Sequence, residues 1–300
     1  MTAEKKHVSF IINPISGVKQ TPRARIRQII AENLDASLFD WDCTFTKSAD
    51  HVTEASRKAA QQGVDIIACV GGDGTANRVI KGLYGSSSTF ALIPAGSGNG
   101  LARFLEIPLD FAKSISLINS LNTKLIDTVS VNDNLFVSIA GLGFDALVAK
   151  KFATAGRRGF FSYFHIALKE YATYRPRKYR MIIDGVPVMR KALFVSFANS
   201  NQFGYNTIIA PDALIDDGLV DVVIVQKVPI IEAPHILGLL WRNKLVTSGY
   251  VEEIKAREIT IVRNRNKNIN LDGEPVKLGK DITIRVNPTS LKMIVPLKDS

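Results

Sequence analysis

Cysteine and tryptophan are scarce in this sequence, with two of each in 300 residues, and there are only four histidines. So few cysteines exclude a small disulfide scaffold, and no zinc-ligand spacing of cysteine and histidine occurs. Cys43 and Cys69 both lie in apolar, strand-like stretches, where a disulfide would require adjacent strands that present them face to face. We therefore expect two reduced thiols in the core.

Long hydrophobic runs are also absent. No window approaches the ~18 apolar residues that a bilayer-spanning helix needs, and residues 1–14 lack the apolar segment of a signal peptide. Hydrophobic residues at 46% and charged residues at 22% exclude a wholly disordered or collagen-like chain. The sequence predicts a soluble, cytoplasmic protein of about two domains.

Positive charge is in excess, with 38 Lys and Arg against 28 Asp and Glu, a net charge of +10. This balance favours an anionic partner, either a phosphorylated small molecule or an anionic membrane surface. The basic residues are dispersed in small groups, and no RNA-binding aromatic signature is present. Nucleic acid is therefore not an expected partner.

Strand-like and helix-like segments alternate over residues 1–123. The continuous apolar run over residues 65–70 is typical of a parallel strand that is covered on both faces. This alternation predicts a doubly wound α/β domain. The other strand-like segments are 7–14, 38–46 and 89–95, and the helix-like segments are 22–33, 51–62 and 76–83.

Hairpin patterns replace this alternation after Leu121. Two strand-like segments, KLIDTVSVN and NLFVSIAG, meet across Asp133 and Asn134 as a tight hairpin would. Further strand-like segments follow, with one helix expected near residues 232–244. We predict a β-rich, sandwich-like domain over residues 124–288, with the apolar tail 289–300 completing the sheet of either domain.

Two glycine-rich loops each follow a predicted parallel strand. Residues 70–75 read VGGDGT and residues 95–100 read AGSGNG. Glycines let backbone amides approach a phosphate, and the helix that follows points its N-terminus at the same anion. Neither loop completes GxGxxG, because Asn77 and Leu101 occupy the third glycine position, and the Walker pattern is absent. A phosphate site at the carboxyl edge of the sheet is predicted, without a Rossmann or P-loop fingerprint.

Four motifs resemble those of the diacylglycerol kinase and sphingosine kinase catalytic-domain family, which includes bacterial soluble lipid kinases. They stand in the family's order: INP-x-SG at 12–17, GGDGT at 71–75, GSGNGLAR at 96–103 and LDGEP at 271–275. The resemblance implies a nucleotide-binding α/β domain and a β-rich lipid-substrate domain. It also implies that ATP and the lipid headgroup meet in the cleft between these domains.

The resemblance implies a set of nucleotide-binding residues. Asn13 has the alternative role of a turn after the first strand, and Thr46 precedes a helix start that Ser48 or Asp50 could equally cap. Arg158 lies in GRRG, which could also be a solvated turn. The set is Asn13, Thr46, Gly71, Gly72, Gly74, Thr75, Gly96, Ser97, Gly98, Asn99 and Arg158.

Phosphoryl transfer requires a divalent ion, groups that hold the phosphates, and a carboxylate that orients or deprotonates the attacking hydroxyl. The candidate catalytic carboxylates are Asp73, Asp272 and Glu274. The resemblance implies ATP and Mg²⁺ as cofactors, with Asp73 also a candidate metal ligand. The resemblance assigns the general base to a carboxylate of either GGDGT or DGE, and the sequence leaves both assignments open. Asp272 and Gly273 are also a strong turn pair.

The lipid substrate is left open. Gly100 stands where many bacterial diacylglycerol kinases carry aspartate, whereas Asp145 in GLGFDA resembles the acidic headgroup contact of sphingosine kinases. Residues 210–222 resemble the place where some bacterial members bind a structural Mg²⁺, through Asp216 or Asp217 here. An acidic surface turn is the alternative.

These observations predict an ATP-dependent lipid kinase for a diacylglycerol-like or sphingoid lipid, cytoplasmic and transiently associated with the membrane surface. The alternatives are a non-catalytic nucleotide-binding membrane sensor and an NAD kinase. A homodimer is left open. We expect Arg175, Arg177, Lys178 and Arg180 to contact anionic lipid. The helical spacing of Phe161, Phe164 and Leu168 predicts that these side chains pack into the core.

Overall fold

The computed structural model describes residues 4–16, 21–155, 159–205, 207–232, 236, 238–239, 242, 244–264 and 267–297. The chain divides into two compact units. The first comprises Met1–Ile126 and Thr289–Ser300, and the second comprises Asp127–Pro288. The sequence predicts this boundary between residues 123 and 124. No described helix combines the length and the apolar character that crossing a membrane requires.

The first unit is built on a parallel sheet in the order β2-β1-β3-β4. Its strands are β1 (Lys6–Ile12), β2 (Phe39–Phe45), β3 (Ile66–Gly71) and β4 (Thr89–Pro94). Its helices are α1 (Arg23–Asn33), α2 (Ala49–Gln61), α3 (Asp73–Leu83), α4 (Gly100–Phe104), α5 (Phe111–Ser116) and the 3₁₀ turn Leu117–Ser120. Every residue of β3 and β4 is buried, which explains their continuous apolar runs.

Helices cover both faces of this sheet. Side chains of α1 and α5 pack with Val8, Phe10 and Ile12 on one face, whereas α2 and α3 pack against each other and against β3. The chain leaves β1 toward one face and β3 toward the other, so the topological switch point lies between these two neighbouring strands. The structure confirms the predicted α/β unit.

Both cysteines carry free thiols. Cys43 lies on β2 and Cys69 on β3, and β1 runs between these strands, pairing Phe10 with Cys43 and Ile11 with Cys69. Because a whole strand separates the two residues, no disulfide forms, and the expected reduced thiols are confirmed. Burial raises the pKa of both thiols, which keeps them protonated and unreactive.

The second unit contains two antiparallel sheets. One has the order β12-β11-β10-β7-β14-β15, and in the other the beginning of β16 pairs with β13, which pairs with β8 and then β9. The first of its elements are β5 (Thr123–Val131), which begins in the first unit, β6 (Asn134–Phe136), β7 (Ile139–Gly143), α6 (Phe144–Thr154) and α7 (Phe160–Thr173). The remaining strands are β8 (Arg177–Ile183), β9 (Val186–Ala192), β10 (Phe194–Ala198), β11 (Val220–Val225), β12 (Val251–Ala256), β13 (Glu258–Val262), β14 (Lys267–Leu271), β15 (Glu274–Leu278) and β16 (Asp281–Ile294).

One core joins the two sheets of the second unit. Val195 and Phe197 from one sheet cluster with Met181, Ile261 and Ile282 from the other, all at most 2% exposed. The unit is therefore the predicted β-rich, sandwich-like domain. The helix expected over residues 232–244 falls largely outside the described residues.

The segment NLFVSIAG differs from its prediction as one strand. It is divided into β6 and β7, and Val137 and Ser138 lie between them. Their backbone amides donate to the carboxylate of Asp272 and not to a neighbouring strand. A distant side chain therefore ends the strand pairing in an apolar run that contains no local strand breaker.

Candidate active site

Four neighbouring strands of the first unit end at the same edge of the sheet. Because β2, β1, β3 and β4 are parallel and adjacent, the residues that follow them lie side by side along this edge. Thr46 follows β2, Asn13 follows β1, and the two glycine-rich loops follow β3 and β4. The structure thus assembles the nucleotide-binding residues predicted in this unit on one edge, at the switch point.

The two glycine-rich loops touch each other through their backbones. The amide of Ala95 donates to the carbonyl of Gly71 at 2.8 Å. A Cβ atom added to Gly96 would lie 2.5 Å from the Cα of Gly72, so neither position has space for a side chain. A Cβ on Gly71 would in turn lie 2.5 Å from the Cβ of Thr75. Gly72 and Gly96 are required by close backbone approach and Gly71 by the side chain of Thr75, and the bare loops form a cradle suited to a phosphate chain.

Asn99 fixes the shape of the second loop. Its side chain accepts from the amide of Gly96 and donates to the carbonyl of Gly96, both at 2.9 Å, and Arg103 Nε donates to the carbonyl of Gly98 at 3.1 Å. Asn99 itself adopts the left-handed conformation, with φ of 52°. Ser97 is exposed at the tip of the loop and Gly98 is half-buried. The left-handed residue of this loop is thus an asparagine and not a glycine.

Asp73 is the first residue of α3, so the GGDGT loop is shorter than the sequence pattern predicted. Gly74 and Thr75 continue this first helical turn. The half-buried carboxylate of Asp73 accepts from the amide of Leu101 at 3.3 Å, at the start of α4. Burial raises the pKa of Asp73, although the amides of residues 99–101 oppose that shift. Asp73 therefore links the two loops and has the raised pKa of a candidate general base.

Asn13 forms both a turn and a contact within the site. Its Oδ1 accepts from the amide of Ile15 at 3.1 Å, as the turn alternative requires, and its Nδ2 donates to Thr75 Oγ1 at 2.9 Å. This contact bridges the ends of β1 and β3 across the switch point. The Thr75 hydroxyl proton remains available for a phosphate oxygen, because a hydroxyl is both acceptor and donor.

Thr46 is 4% exposed, and its hydroxyl donates to the carbonyl of Ile12 at 3.1 Å. The helix that follows is capped by Ser48, whose Oγ accepts from the amide of His51 at 3.2 Å. The capped helix start that the sequence left open is therefore present. Thr46 lies at the predicted edge and holds the ends of β2 and β1 together.

A cavity of about 320 Å³ lies beside the second loop. Its walls are partly polar and partly apolar, and Gly96 and Asn99 form the side next to the loop. The other lining residues are Thr21, Ile29, Pro94, Ala95, Leu109 and Phe111.

Asp272 is almost fully buried in the second unit. Its carboxylate accepts from the amides of Val137, Ser138 and Ile139 at 2.8–3.0 Å, and its own amide donates to the carbonyl of Ile139. Its φ of 47° is left-handed, as the turn with Gly273 requires. Since both oxygens hold backbone amides, this carboxylate fixes the segment that leads into β7. Glu274, the first residue of β15, is half-buried.

Asp145 lies in the first turn of α6 and is 5% exposed. Its Oδ2 accepts from Asn270 Nδ2 at 3.0 Å, and its Oδ1 lies 3.5 Å from the hydroxyl of Tyr163. A Cβ on Gly141 would overlap the carboxylate. Burial raises the pKa of Asp145 to about 6, against the two hydrogen bonds, so the group is predominantly ionised at neutral pH.

The sequence did not indicate Asn199, Asn270 or Tyr163 as site residues. Asn199 is fully buried, and its Nδ2 donates to the carbonyls of Asp127 and Val137, so it stabilises the same segment as Asp272. The polar run NSNQ directly after the apolar β10 was the available signal for Asn199. The other two residues contact Asp145 from 125 and 18 positions away, with no local pattern to indicate it.

Three predicted residues remain. Arg158 lies outside the described residues. Asp216 is exposed, and Asp217 accepts from the amide of Leu219 at 3.0 Å and forms an ion pair with Lys255. The described part of the chain contains no group of three or more metal-ligating side chains.

Two family models match the chain. The diacylglycerol kinase catalytic domain matches residues 7–131, and the YegS C-terminal NAD kinase beta sandwich-like domain matches residues 138–295. Diacylglycerol kinase from Bacillus subtilis (strain 168) is 27% identical over 278 residues, which cover 90% of each chain. Diacylglycerol kinase from Staphylococcus carnosus (strain TM300) is 25% identical over 276 residues, covering 90% of this chain and 89% of that relative.

Solved structures share the fold. A crystal structure of a diacylglycerol kinase from Bacillus anthracis str. Sterne superposes with a TM-score of 0.78 at 24% identity and covers 99% of each chain. Another structure from that organism gives 0.80 at 22% identity and covers 99% of this chain and 98% of that one. The family resemblance inferred from the four motifs is confirmed. The chain belongs to the kinase family of the diacylglycerol kinase and sphingosine kinase catalytic domain, in the form that carries a YegS-type C-terminal domain.

Proposed function

We propose that this protein is an ATP-dependent lipid kinase, which transfers the γ-phosphate of ATP to a hydroxyl of a diacylglycerol-like or sphingoid lipid. The observation that carries the proposal is the contact between the two glycine-rich loops at the carboxyl edge of the parallel sheet, next to its switch point. Two phosphate-type loops that exclude side chains from each other suit a polyphosphate, and membership of a kinase family supplies the reaction class.

Asp73 is the proposed general base. A base works best when its pKa lies near the working pH, and burial moves the pKa of this carboxyl upward, toward that range. The amides of the two loops and the Thr75 hydroxyl would bind the phosphates. Glu274 would orient the acceptor, whereas Asp272 would hold the backbone of residues 137–139 in place.

The residues of this site fit a nucleotide-bound Mg²⁺. Such an ion takes one or two protein carboxylates and completes its octahedron with phosphate oxygens and water. Asp73, half-buried beside the phosphate cradle, is the carboxylate that would hold it. When bound, the ion neutralises charge on the transferring phosphoryl group.

Asp145 is the proposed contact for the lipid headgroup. Its ionised carboxylate is held from three sides by Asn270, Tyr163 and the backbone at Gly141. A fixed, buried carboxylate accepts a hydrogen bond from a hydroxyl or an ammonium group. The headgroup of a diacylglycerol-like lipid and that of a sphingoid lipid are therefore both candidates.

The direct test is phosphate transfer from labelled ATP, with Mg²⁺, to a panel of lipids in mixed micelles. We expect a labelled diacylglycerol or sphingoid product and no labelled product from NAD. Measurable ATP binding without transfer to any lipid would instead support the nucleotide-binding sensor. Labelling of NAD alone would support an NAD kinase.

A membrane-docking patch is part of the proposal. Arg175, Arg177, Lys178 and Arg180 are all exposed. Lys178 and Arg180 stand on the outer face of β8, opposite Lys191 and Met189 of β9. Met189 is 57% exposed, so cations and aliphatic side chains alternate on this face, a composition suited to an anionic lipid surface.

Helix α7 corrects the prediction that Phe161 and Leu168 pack into the core. Phe161 is 86% exposed and Leu168 is 54% exposed, whereas Phe164 is half-buried. The inner face of the helix is formed instead by Tyr163, Ile166, Ala167 and Tyr171. Two large apolar side chains on the outer face favour contact with lipid acyl chains.

Replacement of Arg175, Arg177, Lys178 and Arg180 by glutamine is expected to weaken binding to anionic vesicles roughly 10²-fold or more, at about 1 kcal/mol per cation. Activity on vesicle-bound lipid should fall in parallel, and turnover of a detergent-solubilised short-chain lipid should not change. Vesicle co-sedimentation measures the binding, and kinetic assays with the vesicle-bound and the detergent-solubilised lipid measure the activity. The matched control replaces four exposed cations of the first unit, Arg57, Lys58, Lys81 and Lys113. Equal loss in the control would assign the effect to net charge.

A further inference from the structure

The ammonium group of Lys255 lies among the acidic side chains that follow residue 211. Its Nζ is 3.2 Å from Asp217 Oδ2, 3.2 Å from Asp221 Oδ1 and 3.4 Å from Asp221 Oδ2. It also donates to the backbone carbonyl of Asp212 at 3.4 Å. Four oxygens from three residues therefore contact this one cation, the kind of oxygen shell that a bound metal ion would have.

The backbone fixes this arrangement. Lys255 on β12 stands directly opposite Asp221 on β11 in the antiparallel register. The Asp221 side chain is 1% exposed, and the Asp217 side chain is 21% exposed and anchored on the amide of Leu219. A buried carboxylate is stable in the ionised form only when it is paired. Lys255 is the partner that the strand register supplies.

A structural Mg²⁺ held by Asp216 or Asp217 does not fit these residues. An ion bound at the usual ~2.1 Å from an Asp217 oxygen would share that oxygen with the ammonium group and be repelled by it. Asp216 is exposed, and the described residues form no cluster of three or more metal-ligating side chains. The oxygens of Asp212, Asp217 and Asp221 that face this point are already used by a cation of the chain.

Glu253 is a further acidic residue near Lys255. It lies two residues before Lys255 on β12 and is half-buried. Burial and the neighbouring Asp221 carboxylate raise the pKa of Glu253 to about 7. A carboxyl group with a raised pKa binds a proton more readily, so Glu253 adds less negative charge around Lys255 than an ordinary glutamate would.

We propose that Lys255 takes the place of a structural divalent cation in this chain, so that the fold of the second unit is independent of Mg²⁺. Residues 210–222 resemble the segment where some bacterial members of the family bind such an ion. Here a lysine on the neighbouring strand supplies the positive charge. The proposal concerns stability and does not depend on the identity of the lipid substrate.

The test is thermal unfolding of the full chain without nucleotide, in chelator, in millimolar MgCl₂ and CaCl₂, and in NaCl of matched ionic strength. For the wild-type protein we expect the same Tm in all of these conditions. Lys255→Met should lower the Tm by about 5–10 °C in chelator, because Asp221 then lacks its partner. MgCl₂ or CaCl₂, but not NaCl, should restore part of this loss.

Two variants serve as controls. Lys191→Met removes an exposed lysine of β9 and should change neither the Tm nor its response to metal. Lys255→Arg keeps the charge and should stay insensitive to metal. A wild-type Tm that rises with MgCl₂ relative to NaCl would overturn the proposal. So would a Lys255→Met protein that no divalent ion stabilises. If Lys255→Met does not fold, the wild-type response and Lys255→Arg still decide the question.

Discussion

Asp73→Asn is expected to lower kcat for lipid phosphorylation by about 10²- to 10⁴-fold, the usual contribution of a general base. Burial raises the pKa of Asp73. In the wild-type profile of kcat against pH, the acidic limb should therefore lie above the ordinary range of aspartate pKa values. Below that pKa the base is protonated and the rate falls. The asparagine variant has no such group, and its remaining activity should lose this limb.

The stability of Asp73→Asn should remain close to wild type. The asparagine oxygen can still accept from the amide of Leu101, and the substitution removes the burial penalty on the charge while it weakens the amide contacts that offset this penalty. A net effect of about 1 kcal/mol corresponds to a Tm change of about 2–4 °C. The Tm is measured by calorimetry, alongside the dependence of kcat on pH.

The matched control for this variant is Asp40→Asn, on the exposed surface of β2. Wild-type turnover by Asp73→Asn would remove the residue from catalysis. Recovery of its activity at high Mg²⁺ concentration, with the acidic limb retained, would leave Asp73 only its role as a metal ligand and assign the base to another group.

The position of the two glycine-rich loops on one edge of the sheet could be predicted from the sequence because its signals are local. Each glycine-rich loop directly follows an apolar strand, and parallel strands place such loops at one edge of a sheet. The sequence did not indicate that Gly72 and Gly96 touch. That contact depends on β3 and β4 being neighbours, which is a property of the sheet order.

The interior of the second unit was predicted less well because its key contacts are remote in sequence. Asp272 bonds to amides 133–135 residues earlier and thereby divides a run that looks like one strand. Asn270 meets Asp145 across 125 residues. The prediction for the outer face of α7 failed for another reason. Helical spacing shows that Phe161 and Leu168 share a face, but it does not show that this face is buried.

Asp272→Asn is expected to destabilise the second unit, with a loss of about 3–10 °C in Tm. Asparagine tolerates the left-handed backbone, so the turn with Gly273 is retained. Its amide nitrogen, however, would face one of the three backbone amides that the carboxylate now accepts, and an unpaired buried donor costs about 1–3 kcal/mol. Activity should fall as well, because the segment that leads through β7 to Asp145 is no longer fixed. Asp133→Asn, in an exposed turn, is the control.

Glu274→Gln separates this positioning role from chemistry in the same DGE motif. Glu274 is half-buried at the start of β15, so we expect an unchanged Tm and a loss in kcat of about 10- to 100-fold, the value of one hydrogen bond to a charged group. The acidic limb assigned to Asp73 should persist in this variant. If Glu274→Gln instead loses more activity than Asp73→Asn and abolishes that limb, the general base belongs to DGE. If Asp272→Asn keeps the wild-type Tm while losing activity, its three amide contacts are not what makes it essential, and the base is Asp272 itself.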